Sequence, residues 1–326
     1  MLRRSAQAVR ARFGARGGGR RTGERRPITT AAPLDLRRAV PRPSERTLLQ
    51  VSGWAMIMFV ALLLGLFLHL LVISHLSEHR SQRLLYSQFR GELALGTAPI
   101  GQVDVDGRLL SIGAPVAVVS IPAIGVDATV VEGTTGRALM SGPGHRRDSP
   151  LPGQQGVSVI YGRQAAYGGP FGDIGKLVAG DTITATTGQG TSTYQVVDVR
   201  RAGDQAPPLK SATAGRLTLV SATGTPFASG SIIRVDADLE GKTQPTPQPV
   251  LRLGSLTAAE DPLASDPSGW LPMALLLELV VAVGVLLVLA LRRWGRWHTW
   301  IVAVPVVILL GIEIAQQVVV VLPNLY

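Results

Sequence analysis

The residues whose types and spacing could do chemistry sit at the two ends of one stretch, Val157 to Ala222. At its first end a β-branched strand, Val157 to Tyr161, runs into Gly162, Arg163, Gln164 and, after two alanines, Tyr167; at its second end Leu217-Thr218-Leu219-Val220 runs into Ser221 and Ala222. Strands that end in small and polar residues deliver side chains to a groove. Catalysis there would need an activated nucleophile facing a base. The sequence has no cysteine, which excludes a thiolate nucleophile, a disulfide and a zinc–thiolate site. Arg163 stands where a base would be convenient, and a guanidinium stays protonated at physiological pH. Ala222 stands where a nucleophile would be, and a methyl group has no nucleophilic chemistry. Ser221 adjoins it, but alternate strand residues point to opposite faces, so Ser221 is expected to look away. His145 is the only histidine between residues 99 and 241. His69, His75, His79 and His298 lie in or beside apolar blocks and are not expected to combine with that region.

The elements that must position these residues are strands. Between Pro115 and Leu239 short Val/Ile/Thr runs recur seven times, separated by turn sequences such as Ile-Gly-Val-Asp, Gly-Pro-Gly and Ala-Gly-Asp. The fold class read from this is all-β, a closed barrel without exposed edges over residues 99–241. Short helices are expected only around Gly136–Ser141 and Phe171–Leu177.

Hydropathy sets the frame around that domain. Residues 51–76, 270–291 and 299–322 are predicted transmembrane helices, with a helical stalk at 77–98 and a Pro/Thr/Ser-rich linker at 242–268. The stalk is expected to lift the barrel off the bilayer, its stripe of Leu84, Leu85, Phe89 and Leu93 packing on the barrel or on a partner. The net charge of +10 is local: residues 1–50 hold thirteen arginines against three acids, whereas residues 77–268 hold sixteen basic residues against seventeen acids. The basic segment 1–48 reads as a disordered cytoplasmic tail obeying the positive-inside rule, so no nucleic-acid role is expected. The barrel and the far end of the chain then lie outside a multi-pass membrane protein. Within the predicted spans, His69, Glu278, Glu313 and Gln316 sit at similar depth, and costly intramembrane polar groups point to contact among helices or with a membrane partner.

Specific motifs in the barrel resemble the sortase family, in particular the class E-like housekeeping sortases of actinobacteria. In family order occur Ile121-Pro122-x-Ile124-Gly125, Gly142-Pro143-Gly144-His145, Leu151-Pro152-Gly153, Gly168-Gly169-Pro170-Phe171, Ala179-Gly180-Asp181 and Leu217-Thr218-Leu219-Val220. The resemblance implies an eight-stranded transpeptidase barrel on the outer face of a Gram-positive membrane, acting on Leu-Pro-x-Thr-Gly sorting signals at the cell wall. It also implies a catalytic Cys, His and Arg. Here Arg163 occupies the His position, Ala222 the Cys position, and Ile232 or Arg234 the Arg position; His145 belongs to a structural element. The resemblance is therefore to a degenerate copy without catalytic residues.

The groove of such a copy would be lined by Tyr161, Arg163, Gln164, Tyr167, Ser221 and Arg234, a set suited to a carboxylate or extended peptide. Arg163 could instead pair with Asp148 or Asp173 and fill a disused cavity. No cofactor or metal is expected. Expected partners are membrane lipid and a membrane or cell-envelope protein, with an active sortase or its substrate as candidates. The alternative is an active transpeptidase or hydrolase of unorthodox chemistry through Ser221.

Overall fold

Period-two alternation builds the core. Ala117, Val119 and Ile121, then Ile183 and Ala185, Leu217 and Leu219, and Ile233, Val235 and Ala237 turn to one side of their strands and pack together, fully or almost fully buried. In the computed structural model, which describes residues 45–69, 73–225, 227 and 230–326, these strands are β1 (Pro115–Ile121), β2 (Val126–Glu132), β3 (Gly144–His145), β4 (Gly156–Tyr161), β5 (Thr182–Thr187), β6 (Gly190–Arg200), β7 (Gly215–Thr223) and β8 (Ser231–Leu239). They close into a barrel in the order β1-β2-β3-β4-β7-β8-β6-β5, which leaves no strand edge unpaired. β2 with β3 and β4 with β7 run parallel, and the other neighbours antiparallel. Single 3₁₀ turns occupy Ala138–Met140 and Ile174–Lys176. The expectation for the basic tail falls, up to residue 44, outside the described residues.

Four helices accompany the barrel: α1 (Glu45–Leu68), α2 (Ser74–Leu95), α3 (Trp270–Trp294) and α4 (Arg296–Val321). Two stretches are long and apolar enough to cross a membrane by length and composition, Pro267–Trp294 and Trp297–Val321; in α1 the apolar run is only Phe59–Leu68. The stretch expected as a first span, 51–76, is divided between α1, which runs to Leu68, and the start of α2 at Ser74, and it does not by itself meet that test among the described residues. His69 is buried against Tyr167 of the barrel, so its polar ring finds a partner there.

α2 packs on the barrel, the first of the two arrangements expected for its stripe. Gln82 grips β2 at both ends of its amide, accepting from the Thr129 N–H at 2.7 Å and donating to the Thr129 and Ser141 carbonyls at 3.0 and 2.7 Å. Phe89 is fully buried, whereas Leu84 and Leu93 of the expected stripe remain exposed. A left-handed Gly96 (φ 68°) then ends the helix, returning its N–H to the Glu92 and Leu93 carbonyls.

Candidate functional site

Register brings the two ends of the 157–222 stretch together. Tyr161 pairs with Val220 across the parallel β4–β7 ladder, and the Gly162 N–H extends it to the Val220 carbonyl at 2.9 Å. Across β7 and β8, Ala222 pairs with Ile232 and Val220 with Arg234. Arg163, Ala222 and Ile232 therefore meet at one end of three adjacent strands. Val220, Ala222 and Tyr161 share a buried cluster on the outer face of the barrel with Leu139 and Leu325, and Ile232 packs against it. Ile232 is thus the residue beside Ala222. Arg234 follows two positions on, near enough to Tyr161 to bear on it electrostatically.

Ser221, counted among the groove residues, is corrected: it lies on the inward-facing side of β7 with Leu217 and Leu219. Its hydroxyl is fully buried and has no hydrogen-bond partner among the described residues. Alternation along the strand, unbroken by a bulge in the β7–β8 register, is the reason.

Arg163 is the largest of the fully buried side chains, 1% exposed. Its guanidinium fork is spent on carbonyls: Nε donates to Leu139 at 3.3 Å, Nη2 to Gly136 at 2.7 Å and Nη1 to the Tyr326 main-chain oxygen at 2.9 Å. Its Cζ stands 5.6 Å from the centre of the Tyr167 ring, a cation–π distance. Burial pulls its pKa down to about 10, with Tyr167 acting the other way, so the group remains a cation at neutral pH. The expected pairing with Asp148 or Asp173 does not form, because Arg146 takes Asp148 at 2.8 Å and Lys176 takes Asp173 at 2.9 Å.

The neighbours are equally committed. Gln164 donates its N–H to the Leu325 carbonyl and its side-chain amide to the Gly224 carbonyl, both at 2.8 Å. Burial pushes the Tyr161 phenol up to about 12, and Tyr167 is raised by burial against the pull of Arg163. Tyr167 holds a positive φ of 50°, with its hydroxyl 3.4 Å from His69 Nε2 and the two rings edge-on at 72°. His69 therefore does reach the barrel, contrary to expectation. Gly162 fits the turn because a Cβ there would lie 2.4 Å from the Phe171 ring.

What fills the groove carries no local sequence signal. The segment after α4, Leu322 to Tyr326, folds back onto it. Leu325 is fully buried against Leu139, Tyr161, Val220 and Ala222. Asn324, also fully buried, donates its side-chain amide to the Thr134 and Asp261 carbonyls at 2.8 and 2.9 Å.

A second polar cluster, built on Glu132 and Ser149 with His145, also went unread. His145 Nδ1 lies 2.9 Å from Glu132 Oε2, and Nε2 lies 3.0 Å from the Pro150 carbonyl and 3.1 Å from Ser149 Oγ. The spacing is that of a Ser-His-acid triad, beside a cavity of about 350 Å³ beneath residues 246–253. Proton placement argues otherwise. Both ring nitrogens face acceptors, so the ring is a doubly protonated donor, and the Ser149 hydroxyl gives its one proton to the Arg146 carbonyl at 2.7 Å. The cluster is a buried ion pair bracing β2 and β3.

The intramembrane set is only partly assembled. His69 meets Tyr167 and lies within electrostatic range of Glu313, whereas Glu278 and Glu313 are both exposed and no hydrogen bond joins them. Gln316 is half-buried in the last turns of α4. Among the described residues no cluster of three or more His, Asp or Glu is placed to hold a metal ion.

Comparison with known proteins places this site in context. A family profile described as "Sortase domain" matches residues 119–233. Sortase D of Bacillus subtilis (strain 168) is 31% identical over 83 residues, 26% of this chain and 40% of that protein. The chain thus spans less than half the length of that curated relative. Among solved structures, the Clostridium perfringens sortase D5 transpeptidase is 21% identical and aligns over 50% of this chain and 99% of its own, with a TM-score of 0.41. Sortase A from Corynebacterium diphtheriae is 18% identical and aligns over 52% and 90%, with a TM-score of 0.36.

Proposed function

We propose that this chain, whose residues 119–233 match a sortase domain profile, is a membrane-anchored member of the sortase family that binds without cutting and acts as a scaffold or regulator of a Gram-positive cell-envelope system. One observation carries this reading: Arg163 and Ala222 lie at the same end of adjacent strands in a chain with no cysteine, and the Arg163 guanidinium is engaged with three main-chain oxygens. A cation with a pKa of about 10 has no proton acceptor to offer at neutral pH, and no thiol lies opposite it to activate. Losing two members of a nucleophile–base–oxyanion unit removes most of the rate enhancement the unit supplies.

Membrane anchoring rests on the two C-terminal apolar helices, with α1 as a third span that puts the basic N-terminal segment in the cytoplasm and the barrel outside. Membrane lipid and a membrane or cell-envelope protein are then the partners, an active sortase or its substrate being the kind of protein the groove's history suits. The reading is tested by incubating the full chain in detergent with a fluorogenic Leu-Pro-x-Thr-Gly peptide and an amine acceptor. We expect no turnover above buffer. Turnover abolished by Ser221→Ala would establish an enzyme instead.

A further inference from the structure

We infer that the groove is a peptide-binding site occupied in cis, and that its ligand is the segment Leu322–Tyr326 that follows α4. The inference deepens the non-catalytic reading above and rests on it for the groove's availability as a binding site. Three recognition features point the same way. The main chain of the segment is read by the groove wall, with the Leu325 carbonyl accepting from the Gln164 N–H at 2.8 Å and the Tyr326 oxygen accepting from Arg163 Nη1 at 2.9 Å. One side chain is read by polar contacts, the Asn324 amide donating to the Thr134 and Asp261 carbonyls. The next is read by shape, Leu325 being fully buried over Ala222.

This division, main-chain hydrogen bonds for affinity and alternate side-chain pockets for specificity, is how grooves on β-proteins take short peptides. The segment is not extended throughout. The Tyr326 N–H turns back to the Pro323 carbonyl at 3.1 Å, which aims Asn324 and Leu325 into separate pockets. Arg163 explains itself in this light. A buried guanidinium is costly unless its donors are met, and here they meet the Gly136 and Leu139 carbonyls of the rim and a main-chain oxygen of the occupant. The chemistry selected is a turn-forming peptide carrying Asn followed by an aliphatic residue.

The occupant is the continuation of α4, whose last turn packs Val319 against Ala166 and Tyr167 on the groove rim. A displacement of α4 therefore withdraws the ligand, and the groove is open to a second peptide of the same chemistry only then. The absence of cysteine from the chain supplies the test. With Ala222→Cys as the sole thiol of the full chain in nanodiscs, maleimide labelling should be slow. It should quicken at least tenfold when Asn324→Ala is added, and slow again with excess synthetic Leu-Pro-Asn-Leu-Tyr peptide. Equal labelling with and without Asn324→Ala overturns the proposal. A second measurement keeps Asn324 native: the pair Ala222→Cys and Leu325→Cys should form a disulfide under mild oxidation, and failure to do so counts equally against the proposal. Turnover in the peptide assay would overturn the non-catalytic reading and leave these thiol results unchanged, so the two failures are distinguishable.

Discussion

At the residue scale, two buried cations carry the most information, because each is tied down by a different chemistry. Arg163 is held by main-chain oxygens, three of them reached from one planar fork, with the Tyr167 ring beside it. A lysine ammonium is a point charge that cannot reach all three in the same geometry. Arg163→Lys should therefore destabilise the barrel, by about 1–3 kcal/mol for the buried carbonyls left unpaired, read as a lowered midpoint in denaturant melts; an unchanged midpoint would contradict the hydrogen-bond account. His145 is held by a carboxylate. Burial alone would lower its pKa, but Glu132, with help from the Pro150 carbonyl and Asp148, raises it above the ordinary 6.5. The pair's contribution to stability is then full below that value and fades as pH rises through the raised folded-state pKa. Thermal melts should show a decline on that side which Glu132→Gln removes, and a melting temperature that climbs over the same range would reverse the assignment. Arg163 and Ala222 were legible in the sequence because residue type alone decides whether acid–base or nucleophilic chemistry exists. Leu325 and Asn324 were not, since Tyr326 stands 163 positions from Arg163 and no local pattern encodes that contact.

At the element scale, legibility followed periodicity. The seven runs of β-branched residues became β1, β2 and β4 to β8, because a half-buried strand must alternate. β3 escaped notice: two residues, Gly144 and His145, carry no period, and their pairing with β2 and β4 is set by neighbours. The docking of α2 was legible only in part: Phe89 of the apolar stripe is buried as a packing stripe requires, but the polar grip of Gln82 follows no period. Gln82 makes three hydrogen bonds to main-chain groups of Thr129 and Ser141. Gln82→Ala should leave the Thr129 N–H without its acceptor and cost about 1–3 kcal/mol. Faster amide exchange at Thr129, with α2 newly open to limited proteolysis, is the expected outcome; wild-type protection would show that Phe89 alone holds the helix.

At the scale of the whole molecule, the questions are which helices cross the bilayer and what that does to the groove. α3 and α4 satisfy length and composition, while in α1 the apolar run found among the described residues is short and the next residue, His69, meets the barrel at Tyr167. If α1 nonetheless spans, the thirteen arginines of residues 1–50 lie on the cytoplasmic side, the same side as Arg292 and Arg293 in the last turn of α3. The cysteine-free chain makes this a clean measurement. Single substitutions Lys210→Cys in the barrel, Trp297→Cys in the first turn of α4, and Arg46→Cys before the apolar run of α1 should divide between the two faces of intact cells. Lys210→Cys should react with a membrane-impermeant maleimide at once, and the other two only after permeabilisation. Labelling of Arg46→Cys in intact cells would remove α1 from the set of spans and leave a two-helix anchor. The distinction matters mechanically. In the three-span arrangement the barrel is tethered to the bilayer from both of its ends, by α2 gripping β2 and by α4 reaching the groove through Val319. A lateral shift between α1 and α4 is then transmitted to the site itself, and a membrane partner bearing on α4 can act on the groove without touching the barrel.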